Sequence, residues 1–330
     1  MRGTAETIRT WIRRVILIMT AAMVLYIGLT VWSGSGALRS SLSMVRSGST
    51  LPLVLGLVLT GWFIRAYRWH FFTRTLNWTV PVGHNFLVFL ASFAFTATPG
   101  KMGEIVKAGL LRSRYGTSIT ETFAILFAER LGDLIAVFLL ALGGMTVFVD
   151  ASVYLLVSGA VIALLTFLIV YSPARRMVAA MASRVAPAKA MVERVERFLS
   201  SAVSLFRFVP FVTGLALALV AWACEAVAFA LILEGVGIGV PVVTIFFIYG
   251  FSTIIGALSM MPGGIGSMEA AMLLLLAAVG VPAATAVIPV ILVRACTLWF
   301  VSILGFGFLL LWWIAVDREF MSIRLNKENN

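Results

Sequence analysis

The sequence predicts an all-α polytopic membrane protein with six spanning helices and two re-entrant helical hairpins that enter from opposite faces as an inverted repeat. Hydrophobic residues make up 61% of the 330-residue chain. Charged residues make up only 12%, whereas soluble domains carry roughly 25%. The apolar residues also gather in long uncharged runs, two of which are broken by a Pro-Gly step. These three observations place the chain in lipid.

Six apolar runs reach about the 20 residues that a helix needs to cross a bilayer. The predicted spans are residues 15–32, 51–72, 121–149, 153–171, 210–233 and 284–316. A basic leader, residues 1–14, precedes the first run, and no small-residue cleavage site follows it. We therefore expect that run to be retained as a span rather than removed as a signal peptide.

Two further apolar regions, residues 85–115 and 242–279, are predicted to be re-entrant hairpins. Pro99-Gly100 breaks the first region and Pro262-Gly263 breaks the second, so each arm holds only about a dozen residues. Arms of that length are too short to cross the bilayer. Non-helical backbone at membrane depth needs protein or a wet cavity to satisfy its polar groups, so we expect both turns to face the protein interior.

The distribution of basic residues predicts the orientation. The connector at residues 172–209 carries seven Lys and Arg against two Glu, which places it in the cytoplasm. Both termini, including the tail at 317–330, then lie in the cytoplasm of a bacterial inner membrane. The first hairpin enters from the cytoplasm and returns to Lys107, Arg112 and Arg114, whereas the second enters from the periplasm. The connector intersperses apolar residues among its bases, as in a helix lying on the inner leaflet.

The two breaks repeat one another. Residues 99–104 match residues 262–267 at a spacing of 163, and Arg130 matches Arg294 at a spacing of 164. With the opposite directions of entry, this similarity predicts that residues 15–171 and 210–316 form an inverted repeat. In secondary transporters of that plan, broken helices form the substrate site near the midplane. The alternative is that these glycines only permit close helix packing.

The hairpin turns are the predicted substrate site. A helix that begins at such a turn presents unpaired N–H groups and a positive dipole end, which bind anions such as phosphate. Nearby cations would complete a site for an anionic headgroup, and the alternative is that they only form salt bridges between helices. The predicted substrate-binding residues are Gly100, Lys101, Glu104, Arg130, Gly263, Gly264, Glu269 and Arg294.

Three acidic residues in apolar runs, Glu129, Asp133 and Glu225, are candidates for proton coupling. Glu129 and Asp133 are four residues apart, so they share a helix face and repel each other. Either Arg130 and another cation neutralise the pair, or one carboxyl carries a proton. A purely structural ion network is the alternative. Glu225 has no partner that the sequence identifies.

Arg65 and Arg68 are secondary candidates for substrate contact. Arg65 lies four residues before Trp69, a spacing that suits a cation–π pair. The simpler interpretation is that both arginines extend to the cytoplasmic interface while their aliphatic stems stay in the apolar layer.

Several functions are disfavoured by what the sequence lacks. It contains no Gly-x-x-x-x-Gly-Lys-Ser/Thr loop for ATP, and neither a Gly-x-Ser-x-Gly nor a His-Glu-x-x-His motif. Two isolated histidines and two cysteines suggest no metal site or cofactor. The net charge of +11 lies beside apolar runs, which favours anionic lipid headgroups as partners over nucleic acid. We therefore expect a protein that is not an enzyme.

The motifs at residues 99–104, 129–133 and 262–269, together with Arg294, resemble the lysylphosphatidylglycerol synthase transmembrane region, or flippase-like domain family, over about residues 15–316. In the bacterial multiple peptide resistance factor, a domain of this family flips aminoacylated phosphatidylglycerol, and a separate soluble domain makes that lipid. This sequence resembles a stand-alone member without the synthase domain.

The resemblance implies a flippase for a phosphate-bearing lipid, either a phospholipid, an aminoacyl-phospholipid or a polyprenyl-linked lipid. Transport would be passive or proton-linked, by a monomer or a homo-oligomer, alongside lipid-biosynthesis enzymes of the same pathway. Two alternatives stay open. One is an intramembrane lipid-modifying enzyme or an accessory subunit of a lipid or glycolipid biosynthesis complex, and the other is a membrane scaffold.

Overall fold

The computed structural model describes residues 50–96, 103–143, 152–171, 177, 180 and 189–314. These residues form helices and turns and contain no strand. Three helices in this part of the chain are long and apolar enough to cross a membrane by length and composition: Thr50–Thr75, Phe208–Gly235 and Ala283–Trp312. The chain is thus an all-α multi-pass membrane protein.

Eleven α-helices occur in the described ranges. They are α1 (Thr50–Thr75), α2 (Val82–Ser92), α3 (Gly103–Tyr115), α4 (Ile119–Leu142), α5 (Ser152–Val170), α6 (Lys189–Leu205), α7 (Phe208–Gly235), α8 (Val242–Leu258), α9 (Ser267–Ala278), α10 (Ala283–Arg294) and α11 (Phe300–Trp312). Short 3-10 turns follow α2 at Phe93–Phe95 and α8 at Pro262–Gly264. A π-helical turn at Ala295–Trp299 joins α10 to α11.

Three of the six predicted spans correspond to these membrane-length helices, namely 51–72, 210–233 and 284–316. The predicted span 121–149 corresponds to α4, which ends at Leu142 and carries four charged side chains. The predicted span 153–171 corresponds to α5, whose apolar stretch Leu156–Ile169 is shorter than a full span. The span 15–32, the leader and the tail lie outside the described residues. The six-span arrangement therefore stays a prediction.

The ends of α1 and α7 are built alike. Asn77 and Gly237, which are 160 positions apart, both have positive φ, at 61° and 81°. The next N–H reaches back to a helix carbonyl in both cases, over 3.0 Å after Asn77 and 2.9 Å after Gly237, as in a Schellman C-cap. Pro81 and Pro241 then precede α2 and α8. The order of elements therefore recurs upstream of the matched Pro-Gly breaks.

The corresponding helices α1 and α7 pack against each other and run in opposite directions. Gly61, in the middle of α1, approaches the carbonyl of Ala221. Phe72, in the last turn of α1, packs on Gly214 near the start of α7. Residue numbers rise along one helix while they fall along the other, so the contact is antiparallel.

Each half also packs against the helix that follows the hairpin of the other half. Gly250 of α8 lies on α4, where an added Cβ would come within 2.7 Å of the Val137 carbonyl and 3.5 Å of the Ala141 side chain. Gly305 of α11 lies on the turn after α2, where an added Cβ would clash with the amide nitrogen of Ala94. Ala141 and Gly305 are 164 positions apart. The two contacts therefore join elements that the predicted repeat would pair, α4 with α8 and α11 with the turn after α2.

The apolar face of the connector helix α6 packs on other helices, and its position on the inner leaflet stays a prediction. Leu199 and Ala202 are buried in a cluster with Ala124 of α4 and Ile169 of α5. The basic and acidic side chains of its first turns, including Arg194 and Arg197, are exposed. Its apolar face thus packs on protein, because α4 and α5 expose a matching apolar surface.

Candidate functional site

The second hairpin turns sharply between α8 and α9. Three of its residues, Gly263, Gly264 and Gly266, have φ values of 59°, 66° and 86°, a region that side-chain-bearing residues rarely adopt. Gly256 lets the turn pack closely, since a Cβ on Gly264 would lie 3.2 Å from the Gly256 Cα. Gly266 is the last residue before α9, so its backbone N–H lies at the start of that helix, within the turn.

Arg294 of α10 binds this turn directly. Its Nε donates to Glu269 Oε1 over 2.9 Å, and its Nη2 donates to the Gly263 carbonyl over 2.5 Å. Glu269 Oε2 accepts the Gly266 N–H over 2.8 Å. We call residues 262–269 with Arg294 the second tip. The structure therefore joins the predicted residues Gly263, Gly264, Glu269 and Arg294 in one site.

The position of Arg294 in its helix supports this contact. Arg294 is the last residue of α10 and only 5% exposed. The π-helical turn Ala295–Trp299 begins immediately after it, and such turns within α-helices are frequent at functional sites.

The corresponding first tip, residues 99–104, falls largely outside the described residues. Gly100 and Lys101 lie there, and Glu104 is placed near the start of α3 without a described side chain. The His84 ring hydrogen-bonds to the Tyr115 hydroxyl, which joins the start of α2 to the end of α3. The start of α2 and the end of α3 therefore lie close together.

Both carboxylates on the face of α4 contact cations. Arg68 of α1 donates to Asp133 over 2.8 Å, and its Nε lies 3.8 Å from Glu129. Arg130 lies 3.3 Å from Asp133 on the other side. Arg68 is 1% exposed and Glu129 is fully buried. Of the two arrangements that the sequence left open for this pair, the geometry matches neutralisation by cations.

Lys107 is a member of this cluster that sequence reasoning missed. The distribution of basic residues predicts only that it marks the cytoplasmic side of the first hairpin, and in the structure its side chain is 2% exposed. Its Nζ lies 3.4 Å from Glu129 and over the rings of Trp69 and Phe89, at 4.3 and 4.6 Å. The available signal was its spacing of four from Leu111, another buried residue of α3.

Arg65 and Glu225 form a second buried pair. Arg65 Nη1 donates to Glu225 Oε1 over 2.5 Å, and the Tyr249 hydroxyl donates to Oε2 over 2.7 Å. The Arg65 guanidinium lies 4.5 Å from the ring centroid of Trp222, rather than on Trp69 as its spacing suggested. Neither Arg65 nor Arg68 extends to an interface, because both are buried against acids of neighbouring helices.

Trp222 links the two pairs. Its ring lies under Arg65, while its indole N–H donates to Asp133 over 3.2 Å. A continuous chain of contacts, which we call the central cluster, therefore crosses α3, α4, α1, α7 and α8. Its members are Lys107, Glu129, Arg68, Arg130, Asp133, Trp222, Arg65, Glu225 and Tyr249. The second tip follows α8, the helix that carries Tyr249, along the chain.

The charges of the described site nearly balance. Four acids contact five cations: Glu129, Asp133, Glu225 and Glu269 against Arg65, Arg68, Lys107, Arg130 and Arg294. Unpaired charges at membrane depth cost at least about 2.5–3.5 kcal/mol each, so this pairing keeps the cluster folded.

A small cleft with a cavity volume of about 10 Å³ reaches the central cluster at Arg68. Gly132 and Gly214 border it, and apolar side chains including Phe72, Phe206 and Phe211 line it. A cleft of this volume has room for about one water molecule.

Comparisons with known proteins agree with the resemblance read from the tip motifs. The family model described as the lysylphosphatidylglycerol synthase TM region matches residues 16–305. A curated relative, a UPF0104 membrane protein of Methanothermobacter thermautotrophicus (strain Delta H), is 24% identical over 318 residues, which cover 88% of this chain and 91% of the relative. No solved structure matches. The predicted family is confirmed.

Proposed function

Because the chain belongs to the lysylphosphatidylglycerol synthase transmembrane-region family, we propose that it is a flippase that moves a phosphate-bearing lipid between the leaflets of the bacterial inner membrane. The observation that carries this proposal is the second tip. A helix start and the guanidinium of Arg294 converge there on one carboxylate. Backbone N–H groups at helix starts and arginine are the donors that proteins use for phosphate.

The packing of the two halves supports an inverted repeat. The corresponding helices α1 and α7 are antiparallel, and the Gly250 and Gly305 contacts join elements that the predicted repeat would pair. Two similar halves of opposite orientation can exchange conformations, which would open one central site first to one leaflet and then to the other. In this proposal residues 85–115 enter the membrane from the cytoplasm and residues 242–279 enter from the periplasm.

The central cluster supplies a physical connection between the hairpins. Lys107 lies on α3 of the first hairpin and Tyr249 on α8 of the second, and the ion pairs of α1, α4 and α7 join them. Buried ion pairs depend strongly on geometry, so a movement of one hairpin would change the pairing at the other. This coupling supports an alternating cycle.

The proposed substrate contacts differ in accessibility. The Arg130 side chain is 38% exposed, whereas Arg294 is 7% exposed. We assign Arg130 and Lys101 to the first encounter with the lipid phosphate, and Arg294 with the backbone of Gly263 and Gly264 to binding at the second tip. Because the carboxylates of Glu129, Asp133 and Glu225 each contact a cation, exchange is proposed to be passive in the paired state.

The test uses purified protein in liposomes that contain fluorescent phosphatidylglycerol, phosphatidylethanolamine or, as the neutral control, diacylglycerol. We expect accelerated movement of a phosphate-bearing lipid between leaflets, measured by chemical quenching of the outer leaflet. Arg294→Gln is expected to slow it about tenfold or more, which corresponds to about 1.4 kcal/mol. Arg197→Gln removes an exposed charge from α6 and serves as the matched control.

Folded protein that accelerates the movement of no phosphate-bearing lipid would contradict the proposal. Lipid mass spectrometry of a deletion strain separates transport from synthesis. Loss of a lipid product, rather than its accumulation in one leaflet, would favour an intramembrane lipid-modifying enzyme or an accessory subunit instead.

A further inference from the structure

We infer that Glu269 is a tethered counter-anion, which occupies the anion site of the second tip until the phosphodiester group of a lipid displaces it. This inference rests on the proposed function and defines the ligand class of the same site. It differs from the sequence prediction, in which Glu269 contacts the substrate together with Arg294.

The geometry of Glu269 matches that of the proposed ligand. Its two oxygens accept separate hydrogen bonds, one from the Gly266 N–H over 2.8 Å and one from Arg294 Nε over 2.9 Å. A phosphodiester also carries one negative charge and has two non-ester oxygens. It can therefore accept the same two hydrogen bonds, one from the helix start and one from the guanidinium.

A purely structural capping role explains only half of these contacts. A capping box requires the glutamate to accept the backbone N–H of the N-cap residue, which here is Gly266. The bond to Arg294, which comes from a different helix 25 positions away, is not part of that motif. This bond places the Glu269 carboxylate against the guanidinium that binds the lipid phosphate in the proposed function.

The two tips differ in this respect. The positions 163 and 164 residues before Glu269 are Val106 and Ile105, both apolar. The position in the first tip that corresponds to Glu269 is therefore apolar, and the tethered counter-anion is assigned to the second tip alone at this position. A neutral lipid offers no charge to Arg294 in exchange, so displacement would leave a buried cation without a counter-charge. The tip should therefore discriminate against neutral lipids.

The test measures binding of dihexanoyl-phosphatidylglycerol to detergent-solubilised protein by calorimetry, with dihexanoylglycerol as the neutral probe. Glu269→Gln keeps an oxygen that can accept the Gly266 N–H but removes the competing charge, so we expect the affinity to rise about tenfold. Glu234→Gln removes the same charge from an exposed position at the end of α7 and should leave the affinity unchanged. Dihexanoylglycerol should bind no variant more tightly than the wild type.

Unchanged or weaker binding in a folded Glu269→Gln variant would overturn the inference, because a structural or substrate-contacting glutamate predicts that direction. Tightening for inorganic phosphate but not for the short-chain lipid would overturn the assignment to a lipid headgroup. If Glu269→Gln does not fold, Glu269→Asp, which shortens the reach to Arg294, should tighten binding by a smaller factor, and no tightening overturns the inference. If the wild-type protein transports lipid but the Glu269 variants do not bind it more tightly, the inference fails and the proposed function is unaffected. Wild-type protein that neither binds nor moves a lipid contradicts both.

Discussion

The buried pair between Arg65 and Glu225 offers a quantitative test of the central cluster. Their 2.5 Å contact joins α1 to α7, and Tyr249 donates to the same carboxylate. Arg65→Leu removes the cation and leaves the Glu225 charge with only the Tyr249 hydroxyl as a described hydrogen-bond partner. The combined variant Arg65→Leu/Glu225→Leu replaces the pair with apolar side chains of similar size.

The magnitudes follow from burial, since both side chains are less than 10% exposed, at 9% and 8%. Removing one partner of a buried pair costs about 3–5 kcal/mol because a charge is left uncompensated. Replacing both partners by apolar side chains is often neutral or even stabilising, by about 1–4 kcal/mol. The Tyr249 hydroxyl then loses its hydrogen-bond acceptor, which lowers the stability of the combined variant by about 1–3 kcal/mol. From the middle of these ranges, about 4 kcal/mol for Arg65→Leu and about 2 kcal/mol for a neutral replacement with the Tyr249 cost, we expect the combined variant to be more stable than Arg65→Leu by about 2 kcal/mol.

The assay is denaturant or thermal unfolding in a single detergent, for the wild type, both single variants and the combined variant. Arg197→Leu makes the same side-chain change at an exposed position of α6 and should alter stability by no more than about 0.5 kcal/mol. A cost below about 1 kcal/mol for Arg65→Leu would refute the reasoning. So would additivity of the two single variants, since contacting residues are expected to couple by about 0.5–3 kcal/mol.

Two further predictions concern packing and the link between the pairs. Gly305→Ala should destabilise the fold by about 1–3 kcal/mol, because its Cβ would clash with the backbone of Ala94. Gly307→Ala, which has open space, should not. Equal unfolding midpoints for the two variants would contradict the interlocked packing. Trp222→Phe keeps a ring under Arg65 but removes the N–H donated to Asp133. The free energy of unfolding should therefore fall by about 1 kcal/mol. An unchanged free energy of unfolding would show that this hydrogen bond does not stabilise the cluster.

Hydropathy alone located much of the fold. The predicted spans 51–72, 210–233 and 284–316 match α1, α7 and α10–α11. The charged helix α4 shows the limit of that approach, since four charged residues lie in a run that was read as a span. Whether such a helix is stable in lipid depends on the cations of neighbouring helices, and hydropathy along one segment contains no information about those partners.

The spacing of the predicted repeat changes along the sequence. The matches at the tips have a spacing of 163, whereas Asn77 and Gly237 are 160 apart. The structure explains the difference, because α8 has 17 residues while α2 has 11 and its 3-10 turn has 3. A hairpin arm that is longer by three residues shifts the register without changing the order of elements.

The candidate site was predicted where its residues are close in sequence. Gly263, Gly264 and Glu269 lie within one turn, and the repeat itself identified Arg294. The partners of Glu225 could not be predicted, because Arg65 is 160 positions away. Lys107 was predicted only to mark the cytoplasmic side of the first hairpin because a lysine beside an apolar run is normally read as a loop residue, whereas aromatic rings and a carboxylate hold it inside the protein.

The most direct test of the account is the side of the membrane from which each hairpin begins. Thr79 and Gly239 are equivalent, exposed residues just before the two hairpins, and an added Cβ at Gly239 meets open space. Each would be changed to cysteine in a background that lacks Cys224 and Cys296, and labelled with a membrane-impermeant maleimide in vesicles of known orientation. The account predicts that Thr79→Cys reacts only from the cytoplasmic face and Gly239→Cys only from the opposite face. Labelling of both cysteines from one face would contradict the inverted repeat and the flippase mechanism built on it.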